Sequence, residues 1–227
     1  MTLSGVFGPE HSWPDQDLIA LSVEFDADLV AEAYRAGVFP MPLRETGFED
    51  AMGWWSPVHR GILPLDDVRI TRSLRQSAKK FVLTADRAFD EVIARCADPR
   101  RPSGWIDREV IEVYTELHRL GVVHSVEAWT PTGELAGGLY GVSLGGLFAG
   151  ESMFHDPLIG RDASKVALVG LARVLDDGFE GRLLDVQWVT PHLASLGAVA
   201  IDRVDYLRLL SEALPLPPPD WGRLRLG

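Results

Sequence analysis

The sequence predicts a mixed α/β (α+β) fold in two units, a small N-terminal one and a larger one of alternating strands and helices. Three observations lead there. Segments with apolar residues at helical spacing alternate with segments of period two. A proline-marked break near residues 60 to 64 divides the chain into 1–61 and 62–227. With 227 residues, 46% of them hydrophobic, the chain is long enough to bury a substantial core.

The elements follow in order. Asp28 to Ala36 reads as a helix stopped by Gly37, Pro40 and Pro42, and beyond it a loop is expected to run to Trp54, Trp55, Ser56 and Pro57. Asp86 to Ala97 and Arg108 to Leu120 are amphipathic, the second with Val110, Val113, Tyr114 and Leu117 at helical spacing. Val122 to Trp129, Leu135 to Val142 and Leu147 to Met153 are strands separated by turn signals, which suggests an antiparallel meander. A helix from Ala163 to Leu175 follows, with Asp162 as its expected N-cap, and Leu183 to Val189 is the next strand. The proline-rich run Leu214 to Pro219 is expected to be extended.

Composition excludes several classes. The start lacks a basic region followed by an apolar run, so no signal peptide is expected, and no apolar stretch approaches the roughly 20 residues that span a bilayer. Cys96 is the only cysteine, which rules out an internal disulfide and a multi-cysteine zinc site and suits a reducing cytoplasm. The six histidines show no zinc-ligand spacing, and Ser152 is not in a nucleophile elbow. A net charge of −11 argues against nucleic acid held over the whole surface. Any RNA contact must be local, and Arg69, Arg72, Arg75, Lys79 and Lys80 form one cluster that fits, or else an ordinary solvated helix face.

Period two along Leu183 to Val189 puts Asp185 and Gln187 on one face, with Leu184, Val186 and Trp188 on the other. A carboxylate beside an amide can accept its N–H and leave the amide oxygen free to accept from a substrate. Glu151 lies in an otherwise apolar run and needs a partner. That partner is either an ion pair, with Lys165 or an arginine, or a cationic substrate group. The glycine-rich run Gly137 to Gly146 has neither phosphate-loop nor dinucleotide spacing, and hairpin turns explain it better.

YRAGVF at Tyr34 to Phe39, WWSP at Trp54 to Pro57, RSL at Arg72 to Leu74, WI at Trp105 and Ile106, and HSVE at His124 to Glu127 occur in order. So do GGLYGV at Gly137 to Val142, GLFAGESMF at Gly146 to Phe154, ASK at Ala163 to Lys165, DVQ at Asp185 to Gln187 and HLASLGA at His192 to Ala198. In that order they resemble the bacterial leucyl/phenylalanyl-tRNA protein transferases. The resemblance implies a larger domain similar to the acetyltransferase fold, with a mainly antiparallel mixed sheet and no cofactor or metal. It also implies a cytoplasmic aminoacyltransferase that moves leucine or phenylalanine, and possibly methionine, from Leu-tRNA or Phe-tRNA to the N-terminal Arg or Lys of a protein, marking it for degradation.

Carried over by position, the resemblance makes Asp185, Gln187 and Glu151 catalytic. It places Trp105, Tyr114, Leu139, Phe148, Leu168, Leu171 and Leu184 at the aminoacyl end of the donor, and Arg75, Lys79 and Lys80 against the tRNA. Met41 stands where the family carries tryptophan, and Leu139 and Leu171 replace a methionine and a phenylalanine. Preference among leucine, methionine and phenylalanine is therefore left open. Rival readings are a small-molecule N-acetyltransferase, a non-catalytic tRNA-binding protein and a cell-wall precursor transferase.

Overall fold

Two apolar cores lie on opposite faces of a seven-stranded sheet and fix where everything else sits. The computed structural model describes residues 6–43, 51–101 and 104–224. In the N-terminal unit, β1 (Leu18–Ser22), β2 (Phe39–Pro42) and β3 (Met52–Trp55) form an antiparallel sheet in the order β1-β3-β2, and α1 (Ala27–Arg35) joins the first two. Asp26 starts α1 by accepting the N–H of Leu29 at 2.8 Å.

The larger sheet has the order β10-β4-β9-β8-β7-β6-β5. Its strands are β4 (His59–Ile62), β5 (Val82–Ala85), β6 (Val123–Trp129), β7 (Leu135–Leu144), β8 (Leu147–His155), β9 (Leu183–Gln187) and β10 (Val199–Asp202). One face is covered by α5 (Ala163–Leu175), with α2 (Arg72–Ala78) beside it. The other face is covered by α3 (Phe89–Cys96) and α4 (Arg108–Arg119), against which α1 packs. Two further helices, α6 (Pro191–Ser195) and α7 (Arg203–Ala213), follow β9 and β10. The expected α/β (α+β) class with its mainly antiparallel mixed sheet is thus what the chain adopts, and the meander β6-β7-β8 is its centre. No helix among the described residues is long and apolar enough to cross a membrane.

Some expectations need correction. The loop expected after α1 contains β2 and β3; Pro40 and Pro42 disguised β2, yet proline is tolerated because β2 is an edge strand. Residues 44–50 of that loop lie outside the described residues. Asp162 precedes α5 but does not cap it: its backbone is left-handed, and its carboxylate instead accepts from Ser77 Oγ at 2.9 Å. The strands β1, β4, β5 and β10 are four or five residues long, too short for periodicity to reveal.

The glycine-rich run does two jobs. Gly145, with φ of +58°, makes the tight turn between β7 and β8. Gly137 and Gly138 instead let neighbours approach, since a Cβ on Gly137 would lie 2.7 Å from Ala163 Cβ, and one on Gly138 would lie 3.2 Å from Val92 Cγ2.

Two bulges interrupt the centre of the sheet. Tyr140 pairs with Ser152 and Gly141 with Gly150, so Glu151 is the extra residue of β8. Ile62 pairs with Asp185 and Gly61 with Gln187, so Val186 is the extra residue of β9. The strands β8 and β9 are parallel neighbours only from Leu147 and Leu183 to Ala149 and Asp185, then part. A cleft opens there.

Glycine is required on one side of that bulge and not on the other. A Cβ on Gly141 would fall inside contact distance of the Ala149 carbonyl and the Phe148 ring, whereas one on Gly150 would sit 3.7 Å from the Asp185 carbonyl. Gly141→Ala is expected to cost about 1–3 kcal/mol or more, as overpacking does, and Gly150→Ala about 0.5 kcal/mol or less. Urea denaturation of the two variants measures the contrast.

Candidate active site

Where β8 and β9 part, a cavity of about 420 Å³ runs between the sheet and α5. Leu139, Met153, Leu168, Leu171, Leu184, Val186 and Leu193 give it apolar walls, and Phe39, Pro40, Met41, Trp105 and Trp188 complete its lining from loops and from the N-terminal unit. Its polar groups include Glu151 and Gln187, one from each diverging strand. A site that is mostly apolar with a few placed polar groups suits a ligand with an apolar side chain and one reacting end.

Glu151 makes no ion pair among the described residues; Lys165 instead lies 3.7 Å from Asp162. Its carboxyl accepts from the Tyr114 hydroxyl at 3.2 Å and from the Gln187 amide nitrogen at 3.3 Å, and the Tyr34 and Tyr114 hydroxyls are 2.8 Å apart. Burial lifts its pKa from 4.5 to about 8; the Tyr34 hydroxyl opposes that shift and the Asp185 charge adds to it. Burial, then Glu151, holds the Tyr34 and Tyr114 phenols well above their usual range, so both remain donors.

Behind the cavity wall lies a buried ion pair. The Arg60 guanidinium donates to the Asp185 carboxylate twice, from Nε at 2.9 Å and Nη2 at 2.5 Å, with both side chains fully buried. Nη1 donates to the Gly37 carbonyl at 3.1 Å, and the rings of Phe39 and Tyr206 flank the plane at 4.7 and 4.3 Å. Burial works to lower the Arg60 pKa, but Asp185 and then Tyr206 raise it further than burial lowers it, so the guanidinium stays charged. The Tyr206 hydroxyl donates to Asp185 at 2.9 Å. Asp185 also accepts the backbone N–H of Gln187 at 2.9 Å. Gln187 has φ of +57°, a left-handed conformation that this hydrogen bond helps to hold.

The sequence expectations fare unevenly. Glu151, Gln187, Trp105, Leu139, Leu168, Leu171 and Leu184 all line the cavity. Tyr114 touches it only through Glu151, and Phe148 is fully buried against Trp221, with ring centroids 5.8 Å apart. Asp185 stands behind Gln187 and does not accept its side-chain amide; Glu151 does that. Arg75, Lys79 and Lys80 are exposed on and just beyond α2, apart from the cavity. Sequence reading missed Arg60, Tyr34 and Tyr206. A lone arginine before the apolar run Gly61 to Leu63 was the available signal for Arg60.

The family model described as "Leucyl/phenylalanyl-tRNA protein transferase" matches residues 62–211, and that of its N-terminal domain matches residues 23–58. A "Leucyl/phenylalanyl-tRNA--protein transferase" of Rhizorhabdus wittichii is 50% identical over 194 residues, 83% of this chain and 75% of that one. A protein of the same name from Nitrobacter winogradskyi is 47% identical over 210 residues, 90% of this chain and 89% of that one. Among solved structures, that of L-PGS from Bacillus licheniformis has a TM-score of 0.39 at 11% identity, covering 83% of this chain and 70% of that one.

Two measurements follow from the geometry. Arg60→Met leaves Asp185 buried and unpaired and is expected to cost about 3–5 kcal/mol, part of which Arg60→Met with Asp185→Leu should recover; chemical denaturation reads both. For Glu151, the folded chain holds its proton up to about pH 8 and the unfolded chain releases it near 4.5. Stability therefore falls as pH rises through that window and levels above it. Glu151→Gln is expected to melt increasingly above wild type from pH 4.5 to pH 8, by about 2–4 °C for each kcal/mol recovered.

Proposed function

Since the chain belongs to the leucyl/phenylalanyl-tRNA protein transferases, which are aminoacyltransferases, we propose that it transfers leucine or phenylalanine, with methionine as a further candidate, from aminoacyl-tRNA to the N-terminal Arg or Lys of a protein. The modified protein is thereby marked for degradation, and the tRNA donor places the reaction in the cytoplasm. The observation that carries this reading is the pairing of an apolar cavity with Glu151 and Gln187 at its polar end.

The donor ester is already activated, so the enzyme needs no nucleophile of its own. The aminoacyl side chain fills the space among Leu139, Leu168, Leu171 and Leu184. The acceptor arrives as an α-ammonium with a pKa of about 7.7–8.0. Glu151, held near 8, is matched to it: in its ionised form it takes the ammonium proton at little cost, and it returns that proton to water before the next turnover. Gln187, whose N–H is engaged by Glu151, presents its oxygen to the neutral amine. The new N–C bond forms as the ester C–O bond breaks, and the amine proton ends on the ribose oxygen. Asp185 acts by positioning, holding the backbone of Gln187 while Arg60 holds Asp185. Apolar walls distinguish side chains by size at roughly 1–3 kcal/mol per methylene, so overlapping use of leucine, methionine and phenylalanine is expected.

Purified protein with radiolabelled Phe-tRNA should label a peptide beginning with Arg and not one beginning with Asp. Glu151→Gln and Gln187→Ala should each lower kcat by about 10²–10⁴ with KM for the tRNA little changed. Loss of tRNA binding with kcat intact would remove both residues from the chemistry.

A further inference from the structure

Three basic residues from three elements adjoin residues that line the cavity. Lys165 is in the first turn of α5, three residues before the lining residue Leu168 and so its neighbour on the helix surface. His155 ends β8 two residues beyond Met153, on the same side of the strand. His192 is in the first turn of α6, between the lining residues Thr190 and Leu193. Burial first, then Lys165 and His155, hold His192 below the usual histidine range, so at neutral pH it is an uncharged donor.

Two carboxylates lie beside the cluster, each shared with other partners. Asp162 reaches Lys165 at 3.7 Å, but its other oxygen accepts from Ser77 of α2. Asp156, next to His155, faces Arg95 and the N–H groups of Leu158 and Ile159. Exposed Arg161 adds a charge nearby. Because Ser77 of α2 bonds Asp162 just before α5, α2 packs beside the start of α5, and Arg75, Lys79 and Lys80 are exposed on and just beyond α2.

We propose that His155, Lys165 and His192 bind the phosphodiester groups of the donor's single-stranded 3′ end, threading it from the basic end of α2 into the cavity. This rests on the aminoacyl-tRNA reading above. Phosphates in single strands are held by just such charged and neutral donors, and the contact carries no base preference. It also answers how an acidic chain handles RNA: the favourable surface is a strip, not a face.

The test compares three donors: 3′-phenylalanyl adenosine, which has no phosphodiester, phenylalanyl-CCA trinucleotide, and Phe-tRNA. Lys165→Met with His192→Gln is expected to raise KM about tenfold for the trinucleotide and the tRNA, and less than about twofold for the adenosine. Arg75→Gln with Lys79→Gln and Lys80→Gln should raise it for the tRNA alone. Lys165→Arg, which keeps the charge, should retain wild-type values. Equal losses on all three donors, or no loss on the trinucleotide, would overturn the proposal. Calorimetric binding of unacylated CCA separates it from the transfer reading: weakened binding in the double variant supports the site even if no transfer occurs, and unchanged binding sinks it.

Discussion

A guanidinium with no contact to water sets the geometry on which the rest depends. Arg60 on β4 grips Asp185 on β9 with two hydrogen bonds, reaches the carbonyl of Gly37 in the N-terminal unit, and is flanked by Phe39 and by Tyr206 of α7. Four pieces of chain far apart in sequence meet on one side chain. Such a pair is poor value as stability, because stripping two ions of water offsets most of their attraction. Its use is geometric: a bidentate fork admits few orientations, and Asp185 passes that orientation to the backbone of Gln187.

The site is built from departures from regular sheet. Parallel β8 and β9 stop pairing after Ala149 and Asp185, and each carries its extra residue just beyond, or opposite, that point. A regular strand would alternate Glu151 and Gln187 strictly with their neighbours, and the two side chains would not meet across a widening gap. The bulge at Glu151 and the left-handed backbone at Gln187 bring the amide within 3.3 Å of the carboxyl. Glycine opposite one bulge and a buried ion pair behind the other are what hold these departures in place.

This also explains what the sequence made legible. The long amphipathic α4, the meander and the fully buried α5 follow from periodicity, because each buries a repeated pattern. Leu139, Leu168 and Leu171 were recognisable as cavity residues only by position, through the family resemblance. Alternation along β9 put Asp185 with Gln187, but the positive φ of Gln187 turns it into the cavity lined also by Leu184 and Val186. A left-handed non-glycine residue leaves no mark in the sequence. Arg60 was hidden for a related reason: its importance comes from partners 23, 125 and 146 residues away, which only folding assembles.

The electrostatics of Glu151 connect these constraints to chemistry. A carboxyl ionised at all times in an apolar cavity would lose hydration as an apolar side chain packed beside it, and would require a permanent counterion. Burial lifts it near 8, so it is mostly protonated at neutral pH while the cavity is empty, and Tyr114 and Gln187 satisfy its oxygens meanwhile. An approaching ammonium favours the ionised form, which is the form that can take the amine's proton. In the proposed reaction, the same burial that weakens the fold as pH rises makes Glu151 a base that ionises when the amine arrives. For the proposed reaction, moving Glu151 to solvent would restore the stability and leave a carboxylate too weak a base, by about three to four pKa units, to be matched to the amine.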